Sequence, residues 1–380
     1  MREFDAIEQV HHWLAEGPKR EPAAVQALDL RGLSAFETDP FDDSLFLGCQ
    51  LTDAAAGNLS RTGAFVLPED ASRPFKVHRA RLYTPDELFA GFDPDNPKGW
   101  ESTYDHEVYE HFVRTGRQFA SNIAETLARR LHDHWLSDAL QEALRLRPVV
   151  AIMGGHGMER RDPMYRTVAR IARRLTRDGY MMLSGGGPGA MEATHLGAHF
   201  AHFGEAELDI ALETLGVRPE GAKPGKEYAD PDWLHRGFAV RNAWPVKEPE
   251  YLSIGIPTWM YGHEPPNVFA THIAKYFANS VREEGLLAVA DHGVVFAPGS
   301  AGTTQEIFQD ACQNHYGSFG SRSPMILLGT EFWTQTRPIW PVLKHVARGQ
   351  VYDELLFLTD SEDAVVRRIR SYDPELYKVD

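Results

Sequence analysis

Apolar residues along the chain follow two different periods, and the change falls near Arg147-Pro148. Before it, Tyr104 to Leu146 carries Phe112, Phe119, Ile123, Leu127 and Leu131 at intervals of four or seven, which predicts helix with one apolar stripe. After it, short apolar runs alternate with helical segments. Val149–Met153, Tyr180–Leu183, Tyr251–Pro257, Val294–Ala297, Met325–Leu328 and Leu355–Leu358 read as buried strands. Between them, 163–177, 190–200, 268–284, 331–348 and 361–370 read as helices. Strand, helix and strand in succession predict βαβ units and a parallel sheet.

The first hundred residues are less patterned. Phe46–Cys49 and Ala64–Leu67 are short apolar runs, and stretches such as Phe92 to Trp100 (FDPDNPKGW) read as turns. Residues 204–250 form a polar, Pro-rich insertion, for which a lid and an oligomer contact remain open. The expected fold is α/β: a Rossmann-like doubly wound parallel sheet over 147–380, preceded by an α+β extension over 1–146.

At 380 residues the chain exceeds one ordinary domain. Its net charge of −15 argues against a general nucleic-acid or membrane-surface binder. No apolar run has membrane-spanning length. The N-terminal sequence MREFDAIEQVHHWL lacks a signal core, so a soluble cytoplasmic protein is expected. Its two cysteines, Cys49 and Cys312, lack metal-ligand spacing, and neither a disulfide framework nor a metal site is expected. His132 and His134 stand at i, i+2 and point apart on a helix, so they read as surface or packing residues.

The chemistry gathers at the strand ends. Val294–Ala297 runs into Pro298–Glu306 (PGSAGTTQE), a strand, a small-residue turn and a helix start. Such a turn aims backbone N–H groups and the positive helix end at one point, where an anion is stabilised. Glycine turns also follow the strands near Gly154 and Gly185, and three such corners on one sheet edge define a ligand site. A dinucleotide fingerprint is poorly matched: GGHGMERRD lacks the third glycine, which argues against an NAD(P)-dependent oxidoreductase.

Four segments together carry a family resemblance: Gly154–His156, Ser184–Ala193 (SGGGPGAMEA), Glu264–Asn267 (EPPN) and Pro298–Glu306. Over about Pro148 to Leu358 they resemble the Rossmann-like LOG family, formerly labelled lysine decarboxylases, and most of all its larger bacterial pyrimidine/purine nucleotide 5′-monophosphate nucleosidases. The resemblance implies hydrolysis of the N-glycosidic bond of a nucleoside 5′-monophosphate such as AMP, CMP or GMP. The products are free base and ribose 5-phosphate, with no metal or organic cofactor. It implies Glu306 and Arg282 as catalytic residues, the latter aligned through one extra residue between Asp291 and Pro298. Phosphate and substrate contacts would come from Gly299, Ser300, Gly302, Thr303 and Thr304, from Gly154, Gly155 and His156, from Ser184, Gly185, Gly186 and Gly187, and from Met191, Glu264 and Asn267. Met153, Met191, Trp259 and Met260 are candidates to flank a base. Ser300 stands where the family motif has glycine. A homo-oligomer, a dimer or built from dimers, is implied as well. The alternatives are a nucleotide-binding regulatory protein without turnover and, lower, a pyridoxal-phosphate decarboxylase, for which no lysine stands near the glycine turns.

Overall fold

The computed structural model describes residues 1–17, 20–70, 72–93, 95–96, 99–217, 224–247 and 253–379. Tyr251 and Leu252, at the start of one predicted strand, and residues 218–223 and 248–250 of the insertion lie outside them. The chain forms two compact units: residues 1–82 with 110–141, and residues 83–109 with 142–380.

In the first unit, β1 (Arg2–Phe4), β2 (Ala23–Gln26), β3 (Leu45–Leu47) and β4 (Phe65–Leu67) form a parallel sheet in that order. Its core holds Trp13, Val25, Phe36, Phe41 and Phe46, all at most 3% exposed. The predicted apolar stripe is not one face. The helices are Tyr104–Arg114 and Ile123–Leu144, and between them Gly116 and Arg117 adopt positive φ. Phe119 and Ile123 are more than four-fifths exposed, whereas Trp135, Leu136, Ala139 and Leu140 are buried. The four-residue spacing therefore ran across a helix break. His132 packs edge-on against Phe75, with Nδ1 3.1 Å from Asp133 Oδ1, as a core residue.

The second unit is an α/β fold around a seven-stranded parallel sheet. Its strands are β5 (Val149–Met153), β6 (Met181–Ser184), β7 (Ser253–Gly255), β8 (His272–Ile273), β9 (Gly293–Phe296), β10 (Met325–Leu328) and β11 (Leu356–Thr359). Their spatial order is β11-β10-β9-β5-β6-β7-β8. The chain thus builds outward from β5 to β8, then returns to the other side of β5 with β9. That reversal lies between β5 and β9, and in open parallel sheets ligands collect outside the strand ends at such a point.

The helix Pro163–Arg177 forms where predicted, started by Asp162, whose side chain accepts from the Met164 N–H, and by Pro163 in the first turn. The helix predicted over 268–284 does not form as such. His272–Ile273 instead becomes the sheet-edge strand β8, and the helix runs from Asn279 to Ala288. Residues 331–348 divide into a π-helical turn, Phe332–Thr336, and the helix Ile339–Ala347, separated near Pro338. The insertion contains the helices Glu205–Leu215 and Pro231–Ala243. Cys49 and Cys312 are unpaired, and no helix among the described residues is long and apolar enough to cross a membrane.

Candidate functional site

The loops following β5 and β9 meet backbone to backbone. The Gly155 N–H donates to Pro298 O at 3.0 Å, and the Ala190 N–H donates to Gly155 O at 3.2 Å. A Cβ on Gly155 would lie 3.2 Å from Gly299 Cα, and one on Gly189 only 2.3 Å from Gly155 O. Gly189 also has a φ of +71°, which L side chains avoid. These glycines allow one loop to rest on the next.

The loop after β6 is fixed from beneath. Ser184 Oγ accepts from the Gly186 N–H at 3.1 Å and lies 2.7 Å from His195 Nε2. Burial pushes the His195 imidazole down to about 3, so it is neutral and serves packing. Asn267 donates through Nδ2 and through its backbone N–H to Gly186 O, each at 3.0 Å. Its Oδ1 accepts from the N–H groups of Phe269 and Ala270. Glu192, in the same sequence motif, is fully buried. It receives two bonds from Arg160, at 2.6 and 2.8 Å, and one from the Tyr165 hydroxyl at 2.8 Å.

These loops enclose a cleft of about 400 Å³. Of the site residues named from the sequence, Gly154, Gly155, His156, Gly185, Gly187, Met191, Glu264, Arg282, Ser300, Gly302, Thr303 and Glu306 line it. Ser184, Gly186, Gly299 and Asn267 support the lining loops without facing the cleft, and Thr304 Oγ1 turns back to Ser300 O at 3.2 Å. Of the residues considered for an aromatic ligand face, only Met191 lines it. Met153 is in the core and Trp259 stacks on Phe277 at 4.5 Å. Sequence reading missed Tyr261, His263 and Glu283, which also line it. Glu283 adjoins Arg282 and His263 adjoins Glu264, so neighbours of the motif residues were the available signal.

The helix Ala301–Tyr316 opens at the cleft, and its N-cap Ser300 makes no side-chain capping bond. Its first-turn N–H groups, which have no intrahelical partner, are thus left at the cleft. Arg282, only 8% exposed, leaves the neighbouring Asn279–Ala288 helix to reach the same space. Its Nη2 donates to Asn279 Oδ1 at 3.1 Å, while its buried Nε has no partner among the described residues. Glu306, one turn into its helix and 9% exposed, faces Arg282 with Oε1 3.6 Å from Nη1. Burial pushes the Glu306 carboxyl up to about 7; Arg282 opposes that rise and Glu283 adds to it. Across the cleft, Glu264 Oε1 lies 3.6 Å from His156 Nδ1 and 3.8 Å from His263 Nε2. Among the described residues no group of three or more His, Cys, Asp or Glu side chains is arranged to hold a metal ion.

No family model matches the chain. No curated protein matches it either. Solved structures that do match include a molybdenum cofactor binding protein from Rippkaea orientalis, at 16% identity and a TM-score of 0.37, covering 60% of this chain and 98% of that one. A molybdenum cofactor carrier protein from Chlamydomonas reinhardtii matches at 12% identity and a TM-score of 0.34, covering 59% and 98%.

The resemblance to LOG-family nucleosidases is corrected accordingly. The structures that match are named for cofactor binding and carriage, not for nucleotide cleavage. N-glycosidic hydrolysis and the nucleoside monophosphate substrate depended on that resemblance and fall with it. The physical reason lies in what the motif residues do here. Gly155, Gly189 and Gly299 pack loop on loop, Glu192 is a buried ion-pair partner, and Asn267 braces Gly186. The four segments encode the architecture of a sheet-edge cleft, which many chemistries share.

Proposed function

We propose that the second unit binds a small phosphorylated organic molecule, with its phosphate at the amino end of the Ala301–Tyr316 helix. The observation that carries this reading is Arg282: a guanidinium more than nine-tenths buried, 3.6 Å from Glu306 with no hydrogen bond between them, lining the same cleft as uncapped helix N–H groups. Its Nη1 makes no hydrogen bond to that carboxyl, and a phosphate oxygen in the cleft supplies an acceptor. The helix end adds its dipole, and the Thr303 side chain adds a hydroxyl at the cleft wall. The volume suits a ligand of ring-plus-phosphate size. The unpaired cysteines fit a cytoplasmic setting.

Titration calorimetry with inorganic phosphate and a panel of phosphate monoesters tests this, with molybdenum cofactor included in the panel. Gly302 lines the cleft, and a Cβ there meets nothing within 4 Å, so Gly302→Asp has room to start a side chain that adds a carboxylate at the amino end of the helix. Binding by the wild type and its loss in that variant support the reading. Equal binding by both removes it.

A second reading, turnover of the bound ligand, is favoured by Glu306. A carboxyl that titrates near 7 beside a fixed cation suits proton transfer at neutral pH. Mass spectrometry of each bound ligand after incubation, with wild type and with Glu306→Gln, separates carriage from conversion.

A further inference from the structure

The charge around the cleft is unbalanced for a bare phosphate. Among the described residues three glutamates line it, Glu264, Glu283 and Glu306, the last of them titrating near 7, against one guanidinium, Arg282. A ligand carrying only negative charge meets net repulsion there.

The three acids are not equivalent. Glu306 faces Arg282. Glu283 accepts from Gln305 Nε2 at 2.8 Å and also stands 3.6 Å from Arg282 Nη2. Glu264 faces no guanidinium among the described residues, and the Tyr228 hydroxyl is hydrogen-bonded to it. Its side chain is 12% exposed, and its ion-pair neighbours among the described residues are the two histidines, at 3.6 and 3.8 Å, beyond hydrogen-bond distance. The Tyr228 hydroxyl beside it is neutral, raised by burial and by Glu264 itself. Glu264 Oε2 hangs over the glycine loop, 3.9 Å from where a Cβ on Gly187 would lie. A mostly buried carboxylate without a permanent cation is stabilised when a ligand brings one.

Building on the phosphate reading, we propose that the ligand is a zwitterion, with a protonated amine or amidine group against Glu264 and its phosphate at the Ala301 end of the cleft.

Pyridoxamine 5′-phosphate and pyridoxine 5′-phosphate probe this. They share ring and phosphate and differ by an aminomethyl against a hydroxymethyl group. The wild type binds the amine at least about tenfold more tightly, the size expected of one charge-assisted hydrogen bond. Glu264→Gln removes that preference: the amine weakens about tenfold, while the hydroxymethyl compound and inorganic phosphate bind as well as before or better, because a repelling charge is gone. Equal wild-type affinity for the two compounds, which share a protonated ring nitrogen, overturns the placement of the ligand's amine against Glu264 and leaves the phosphate reading standing. Absence of binding for both, and for inorganic phosphate, overturns the two together. The wild-type comparison decides even where the variant folds poorly.

Discussion

Arg282 and Glu306 face each other at 3.6 Å, with no hydrogen bond closing the gap. Each comes from a different helix, Asn279–Ala288 and Ala301–Tyr316, and each is about nine-tenths buried. A buried ion pair held slightly open is weakly satisfied on both sides, which is the condition under which a ligand gains most by joining it.

The first prediction concerns Glu306 and pH. Its carboxyl is raised from 4.5 to about 7, so the folded state holds a proton that the unfolded state has already released between those values. Stability therefore falls as pH rises from about 4.5 to 7 and stays level above. Glu306→Gln escapes this loss. Its urea midpoint should exceed the wild type's at pH 8, by up to roughly 3 kcal/mol in stability, and the difference should shrink toward pH 4.5. A constant difference across that range argues against a raised carboxyl.

Arg282→Ala is expected to weaken phosphate-ester binding by about ten- to a hundredfold, the loss of one or two charge-assisted hydrogen bonds. It also removes the cation that opposes the rise of the Glu306 carboxyl, so that carboxyl titrates still higher. Calorimetry and NMR titration of the glutamate side chain read the two effects separately.

The glycines divide by what surrounds them. Gly189→Ala places a Cβ 2.3 Å from Gly155 O on a backbone at φ +71°, and should cost about 2–4 kcal/mol from clash and left-handed strain combined. Gly302→Ala meets no atom within 4 Å and should be neutral or stabilising by up to about 1 kcal/mol, since alanine favours helix. Chemical denaturation of both variants checks the contrast.

Arg160→Met should destabilise by about 3–5 kcal/mol, because it leaves Glu192 buried with only the Tyr165 hydroxyl as donor. Arg160 also donates to Trp233 O at 2.8 Å, which ties that loop to the Pro231–Ala243 helix. Thermal unfolding measures the loss, and Glu192→Gln should recover part of it in the double variant.

Periodicity located six of the seven strands of the second unit to within two residues, and the helices Pro163–Arg177, Ala190–His199 and Glu362–Arg370 to within one. Their apolar positions, such as Val150, Ile152, Val168 and Ile171, are buried on both sides of one sheet-helix interface, so local pattern and packing agree. Residues 268–284 were misread because their apolar spacing satisfies a helix as well as a sheet edge. Pairing of β8 with β7 and the buried Lys275–Asp105 ion pair at 2.6 Å draw that segment into the sheet margin. The Tyr104–Leu146 stripe failed for a related reason: regular spacing continued through a break at Gly116 that only backbone conformation reveals. The cleft itself was legible, since glycine turns after parallel strands converge wherever the sheet reverses.

The amino-acid sequence by itself determined the parallel α/β framework, the glycine corners at the strand ends, and the residues able to meet at one rim. Those follow from periods and turn chemistry, which act over a few residues. Only the tertiary structure decided which glycines pack loops and which border open space, that Glu192 and Asn267 are supports, and that among the described residues only His156 and His263 come within ion-pair distance of Glu264. Burial and charge pairing depend on neighbours distant in the chain, and no local pattern records them.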